Sequence, residues 1–233
     1  NVAHALGQHW ADQIGWHAHW NRSEMPLFPD VPFSPDADDW DVAVLAVSDD
    51  ALEAVSAGLP DHVLRVHLSG AKPLRAVLQG GARGAVIWPV SSIRKERMSE
   101  WKAVHWAVEA SDEESLAWAS ETVRQLGGTP HALSEEQRLR AHVAAVFAAN
   151  FSNLMLAEAA DLVGPTGLPW SAVHALAEGV MERAATEAGA QLITGPAARG
   201  DEATLEAHRR QLSPHSDLKQ LYEVLTHRIQ QRS

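Results

Sequence analysis

His142, Asn150 and Asn153 are the first residues whose types and spacing suit chemistry. At about 100° per residue, Asn150 stands about 80° and Asn153 about 20° from His142 around a helix, so the three share one side. Ala144, Ala145, Val146, Phe147 and Ala148 surround them. An imidazole on such a face can give or take a proton near neutral pH, and the two amides can orient a polar substrate. The same trio would also serve as hydrogen bonds between packed helices, since buried polar groups need partners. A second set is Thr194-Gly195-Pro196-Ala197-Ala198-Arg199-Gly200-Asp201, followed by Thr204 and His208. Asp201 can cap the next helix, and His208 returns to within about 20° of it after seven residues. Asp201, Thr204 and His208 can thus form one polar column. Two glycines and a proline shape the loop before them, and Arg199 can hold an anionic group or pair with Asp201.

A third set lies at expected strand ends. In open α/β sheets these ends face the ligand crevice. One end carries Val47, Ser48 and Asp49, the other Ser69 and Gly70. Gly70 lets a backbone approach a ligand closely, and Ser69 can donate a hydrogen bond. Ser48-Asp49-Asp50 is also expected to cap the helix that follows. The fourth set is Asn21-Arg22-Ser23, with no carboxylate until Glu24. In a dinucleotide fold this position meets the adenosine ribose, and a guanidinium there suits the extra phosphate of NADP. The same tripeptide also reads as an ordinary polar loop. His17 and His19 share a strand face, but no third ligand or His-Glu-x-x-His spacing accompanies them, so no metal site is expected.

The elements that must position these groups follow from the pattern. Residues 1–13 have helical spacing, and Trp16 to Trp20 reads as a strand. Pro26, Pro29, Pro32 and Pro35 then suit an extended stretch. The apolar run Val42 to Val47 reads as a strand buried on both faces, as in a parallel sheet. A helix through about Ala57, a strand over Val63 to Leu68 and a short helix from about Pro73 come next. Strands over Ala85 to Trp88 and Val104 to Val108 follow, then an amphipathic helix from Asp112 to Leu126. This alternation predicts a parallel α/β sheet with crossover helices. Ser134-Glu135-Glu136-Gln137 has capping-box spacing, and the helix it opens runs to about Val163. Further helices are expected over about 169–188, 202–212 and 216–231. Domains are therefore expected over 1–131, α/β, and 132–233, all-α.

The chain has 233 residues, 30 acidic against 19 Lys and Arg, and a net charge of −11. Such an acidic chain lacks the basic stripe of a nucleic-acid binder. It has no cysteine, which excludes disulfides and thiol chemistry. No uninterrupted apolar run approaches about 18 residues, so no membrane span is expected, and no secretory signal pattern is seen. The expected setting is the cytoplasm.

Taken in order, several stretches resemble a known family. They are Asn1-Val2-Ala3, Asp41 through Asp50, Val66 through Ala71, His142 through Phe151, and Thr194 through Asp201 with Thr204 and His208. The chain resembles the "Rossmann-like and DUF2520" group, related to pyrroline-5-carboxylate reductase and 6-phosphogluconate dehydrogenase. The resemblance implies a Rossmann-like α/β N-terminal domain that binds NADP and an all-α C-terminal domain that forms a homodimer. It implies an oxidoreductase acting on a small molecule. Asn1 would close the Gly-rich phosphate turn, whose glycines and first strand would precede it. Asn21, Arg22 and Ser23 would face the adenosine phosphate, and Val47, Ser48, Asp49, Ser69 and Gly70 the nicotinamide side. His142, Asn150, Asn153, Arg199, Asp201, Thr204 and His208 form the expected catalytic set. There are departures. The proline stretch replaces a helix, and Trp88-Pro89 stands where the family tends to read His-Pro. Val146 follows His142 by four, so the lysine mechanism of the related dehydrogenases does not carry over. A catalytically inactive nucleotide-binding or structural dimer is the alternative.

Overall fold

The computed structural model describes residues 40–91, 104–187 and 189–233. They fall into two compact units, one ending at Ser152 and the other spanning Asn153–Ser233. This division comes later than the composition change near residue 131. The helix opened by Ser134 begins on the first unit because its early turns pack on the sheet.

The first unit is built on five strands in the order β1-β2-β3-β4-β5. They are β1 (Val42–Leu45), β2 (Leu64–His67), β3 (Gly84–Pro89), β4 (His105–Ala110) and β5 (Thr129–Ala132). Pairs β1/β2, β2/β3 and β4/β5 are parallel. The β3/β4 pair is antiparallel, with Pro89 opposite Trp106, which corrects the all-parallel expectation. The chain re-enters the sheet beside the end of β3 it has just left, so this step needs no crossover helix. β2 and β3 are buried along their whole length; β3 is continuously apolar, as a strand covered on both faces requires, whereas β2 carries the buried Arg65 and His67.

Alternation along the strands divides the core into two layers. Leu64, Val66, Ala85, Ile87, Trp106 and Val108 face helix α2 (Glu113–Gln125) and its Ala119 and Val123. Asp112 caps α2, accepting the Ser115 amide at 2.8 Å. On the other face, Ala43, Leu45, Val63, Val86, Trp88 and Ala107 pack with Leu52 of α1 (Leu52–Ala57). Ala141 and Ala145 of α3 (Glu135–Ala145) join this layer. The capping box opens α3 as expected: the Gln137 amide donates to Ser134 Oγ at 3.3 Å, and the Ser134 amide to Gln137 Oε1 at 2.9 Å.

After α3 the helix continues through a π turn, Val146–Phe151, into α4 (Ser152–Val163). The helical stretch Glu135–Thr166 contains an 18-residue window of mean hydropathy 1.4, none of it buried. By length and composition it could cross a membrane, although no uninterrupted apolar run of that length exists. Scattered polar residues break the run without lowering its average below that of a spanning helix. The rest of the second unit comprises α5 (Trp170–Ala184), α6 (Pro196–Arg199), α7 (Glu202–Gln211) and α8 (Ser216–Gln230). Arg209 ties α7 to α8 through Glu223, at 2.9 Å.

Candidate functional site

The carboxyl ends of β1 and β2 open into a cavity of about 350 Å³, lined by Val47, Ser48, Asp49, His67 and Ser69 among others. Adjacent parallel strands place the two chain turns side by side. The Ser69 hydroxyl donates to Asp49 Oδ2 at 3.2 Å, joining them. Ser69 Oγ also accepts from the amides of Ala71 and Lys72, which fixes the second turn. Lys72 reaches Asp50 at 3.8 Å across the mouth. The expected side-chain cap from Ser48-Asp49-Asp50 is not made. Ala51 is the N-cap of α1 and makes no side-chain cap bond. The Ala51 amide instead donates to the Ser48 carbonyl, which frees the Asp49 carboxylate to meet Ser69.

Gly70 sits where a side chain cannot. A Cβ built there would lie 2.5 Å from His142 Cδ2 and 2.7 Å from Trp88 Cε2. The His142 ring meets Trp88 edge to face, with centroids 5.3 Å apart. His142 is therefore held beside the turn that borders the cavity. Arg138, one helical turn earlier, is fully buried and pairs with Glu109 at 3.0 Å. His67 is also fully buried. It accepts the Ser69 amide on Nδ1 at 3.2 Å, so its proton resides on Nε2, which forms no well-aligned hydrogen bond. Burial first, and the charge of Arg138 second, push the His67 pKa down to about 4 against the pull of the Pro73 carbonyl and Asp49. At neutral pH this ring is an uncharged donor.

Asn150 and Asn153 do not extend this cluster as straight-helix arithmetic predicts. Asn150 lies within the π turn, whose wider winding breaks the count of about 100° per residue from His142. Both amides are exposed and hydrogen-bond to no other described residue. In the second unit, Gly195 and Gly200 bracket α6 with φ of 99° and 67°, backbone states that glycine adopts most readily. Asp201 caps α7, accepting the Thr204 hydroxyl at 2.7 Å and its amide at 3.1 Å. These bonds, aided by the charges of Arg199 and His208, hold its carboxyl below the usual range. Arg199 is exposed and forms no ion pair among the described residues. His208 turns to Tyr222, with Nδ1 2.9 Å from the phenol oxygen. The structure thus joins Asp201 to Thr204, and His208 to a tyrosine that sequence spacing did not single out. Asn1, Asn21, Arg22 and Ser23, with the expected first helix, first strand and proline stretch, lie outside the described residues. Among the described residues no cluster of three or more His, Asp or Glu forms a metal site.

Sequence reasoning gave no site role to Arg138, Glu109, His67 or Trp88, although His67 and Trp88 lie in stretches it quoted. The available signals were a charged residue among α3's core-facing positions and a histidine inside a strand that is buried throughout.

A crystal structure from Bacteroides fragilis, of a protein assigned as an NADP oxidoreductase, is similar over the whole chain. Identity is 26%, the TM-score is 0.85, and the match covers 100% of this chain and 95% of that one. Two more distant structures share the fold. An Aspergillus terreus imine reductase in complex with NADPH4 and dibenz[c,e]azepine has 14% identity and a TM-score of 0.64, covering 96% of this chain and 89% of that one. Plasmodium falciparum pyrroline carboxylate reductase with NADP bound has 12% identity and a TM-score of 0.60, covering 99% and 92%. No curated protein sequence matches the chain. The sheet order, the layers and these likenesses give a Rossmann-like α/β unit followed by a helical one. A family model described as a domain of unknown function, DUF2520, matches residues 104–229, from the start of β4 through α8. That match spans more than half of the sequence, and the chain belongs to the DUF2520 family.

Proposed function

We propose that the protein is an NADP-dependent oxidoreductase that moves a hydride between nicotinamide and a carbonyl or imine carbon of a small molecule. The observation that carries this reading is the cavity at the β1 and β2 ends, with His142 fixed at its Gly70 border. Small polar groups at the ends of two adjacent parallel strands fit a nucleotide at that place in an open α/β sheet. The whole-chain likeness to the Bacteroides fragilis protein supports the same cofactor.

In this reading Val47, Ser48, Asp49, Ser69 and Gly70 line the nicotinamide side. Asn1, Asn21, Arg22 and Ser23 serve the phosphates and the adenosine end. A bound nicotinamide would supply or accept the hydride. His142 holds or releases the proton that accompanies it at the substrate oxygen or nitrogen. The exposed amides of Asn150 and Asn153 and the exposed guanidinium of Arg199 are each available to a polar or anionic group of a ligand. Asp201, Thr204 and His208 set the shape of the α6–α7 segment that carries Arg199.

The reading includes a homodimer formed by the helical half and a cytoplasmic setting. Leu176 is 71% exposed and Met181 55%, more than a lone helix face in water favours. A second copy is the proposed cover, because α5 also carries His174, Glu178, Glu182 and Arg183, which a lipid-embedded helix would have to desolvate. Titrating the protein into NADPH and following nucleotide fluorescence tests the core of the proposal. Saturable binding, followed by NADPH oxidation with one member of a panel of cyclic imines and 2-oxo acids, is expected. Absence of saturable binding would overturn it.

A further inference from the structure

Arg138 is completely buried and yet uses its guanidinium in two directions. Nε and Nη2 donate to Glu109 Oε2 at 3.1 and 3.0 Å. Nη1 donates to the Gly70 carbonyl at 2.8 Å and to the Ser69 carbonyl at 3.3 Å. One side chain therefore links α3, β4 and the turn after β2. A buried charge persists only when its donors are engaged, and a planar fork is suited to engaging several at once. His142 follows four residues later on the same side of α3, and its ring lies against Gly70 from that side. The Ser69–Gly70 turn is thus gripped twice by one helix face. The free end of that turn is the Ser69 hydroxyl, which holds Asp49 at the cavity.

We propose that Arg138, anchored by Glu109, is a positioning residue that latches the Ser69–Gly70 turn to His142 and so preforms the cavity. The nature of the ligand rests on the nicotinamide reading above, while the latch itself does not. Arg65 supplies the contrast. It is equally buried, but it binds the carbonyls of Leu59 and Gln79 in the loops before β2 and β3.

The test uses the full chain with Arg138→Lys, Glu109→Gln and Arg65→Lys, each checked for folding by circular dichroism. Two readouts are taken: NADPH affinity by fluorescence, and the His142 ring resonances, which carry the ring-current displacement imposed by Trp88. Loss of a supporting hydrogen bond around a site commonly costs tenfold or more, so Arg138→Lys and Glu109→Gln should weaken NADPH binding by at least about tenfold. Both should also move the His142 resonances, whereas Arg65→Lys leaves both readouts as in the wild type. If Arg138→Lys does not fold, Glu109→Gln decides. Wild-type affinity together with wild-type His142 resonances in the folded variants overturns the latch, as does equal weakening by Arg65→Lys. If the wild-type protein itself binds no NADPH, the nicotinamide reading fails. The latch then stands or falls on the His142 resonances alone.

Discussion

The imidazole of His142 meets the Trp88 indole with ring centroids 5.3 Å apart and planes inclined at 62°. Trp88 is the penultimate residue of the central strand β3 and is buried, so it cannot move aside. His142 comes from a different layer, helix α3, and its Cδ2 lies over the Gly70 α-carbon. The proposed proton-transfer group is thereby held against a rigid wall beside the strand-end cavity. Such fixing of a group before substrate arrives is what orientation effects in catalysis require.

Gly70→Ala is the sharpest probe of this packing. The new methyl would meet His142 and two indole carbons of Trp88 at 2.5 to 2.9 Å. Overpacking of this kind costs about 1–3 kcal/mol. A lowered denaturation midpoint and weaker NADPH binding are expected together. An unchanged midpoint in urea would show that the turn yields and that the contact is not restrictive.

His142→Ala removes the proposed proton-transfer group while leaving the cavity residues in place. NADPH oxidation on a responsive imine or 2-oxo acid should fall by about 100- to 10,000-fold, with a much smaller loss of NADPH affinity because Arg138 still holds the Ser69–Gly70 turn. Turnover equal to that of the wild type would assign the proton transfer elsewhere.

Much of this arrangement is legible in the residue pattern. The apolar runs announce β1 and β3, the Val and Leu positions over 63–68 announce β2, and the capping box announces α3 to the residue. Ser48, Asp49 and Ser69 can be placed at strand ends by the general rule for open sheets, and they line the cavity. What escapes the pattern has identifiable causes. Strand β5, Thr-Pro-His-Ala, is short, largely exposed and contains a proline, so it lacks an apolar period and is recruited by pairing with β4. The antiparallel β4 has the same composition as a parallel strand would. The π turn shifts Asn150 and Asn153 because the energy difference between α and π winding is too small to mark in residue types. Arg138 reads as one more polar residue of a helix start, and only the depth of its side chain distinguishes it.

Acid should weaken the fold through His67. Its folded-state pKa is about 4, below the ordinary 6.5, so the unfolded chain takes up the proton first as pH falls. Above pH 6.5 both states are neutral and the full stability is present. Between about pH 6.5 and 4 stability declines, by up to about 3 kcal/mol, and below that this group adds nothing further. Asp112 acts in a lower window. The Ser115 amide and the Ser111 and Ser115 hydroxyls hold its pKa at about 2 against 3.8, so its contribution is lost only below that ordinary value. Urea midpoints at pH 7 and pH 4.5 should therefore differ less in His67→Gln than in the wild type. An equal difference would assign the acid sensitivity to other groups.

The helical half should associate. Leu176 and Val180 lie four residues apart on α5, so their side chains share one face, and both are exposed with Met181 beside them. Covering such residues is worth about 25 cal/mol for each Å² of apolar surface removed from water. A charge placed at the centre of that face would have to be desolvated without a partner. Sedimentation of the wild type is expected to show a dimer, and Leu176→Glu to shift it toward monomer without loss of helix signal. The variant should also stay free of detergent-dependent behaviour, since the proposed cover is protein. A wild-type monomer at all accessible concentrations, or binding to neutral lipid vesicles that Leu176→Glu abolishes, would assign this face a different occupant.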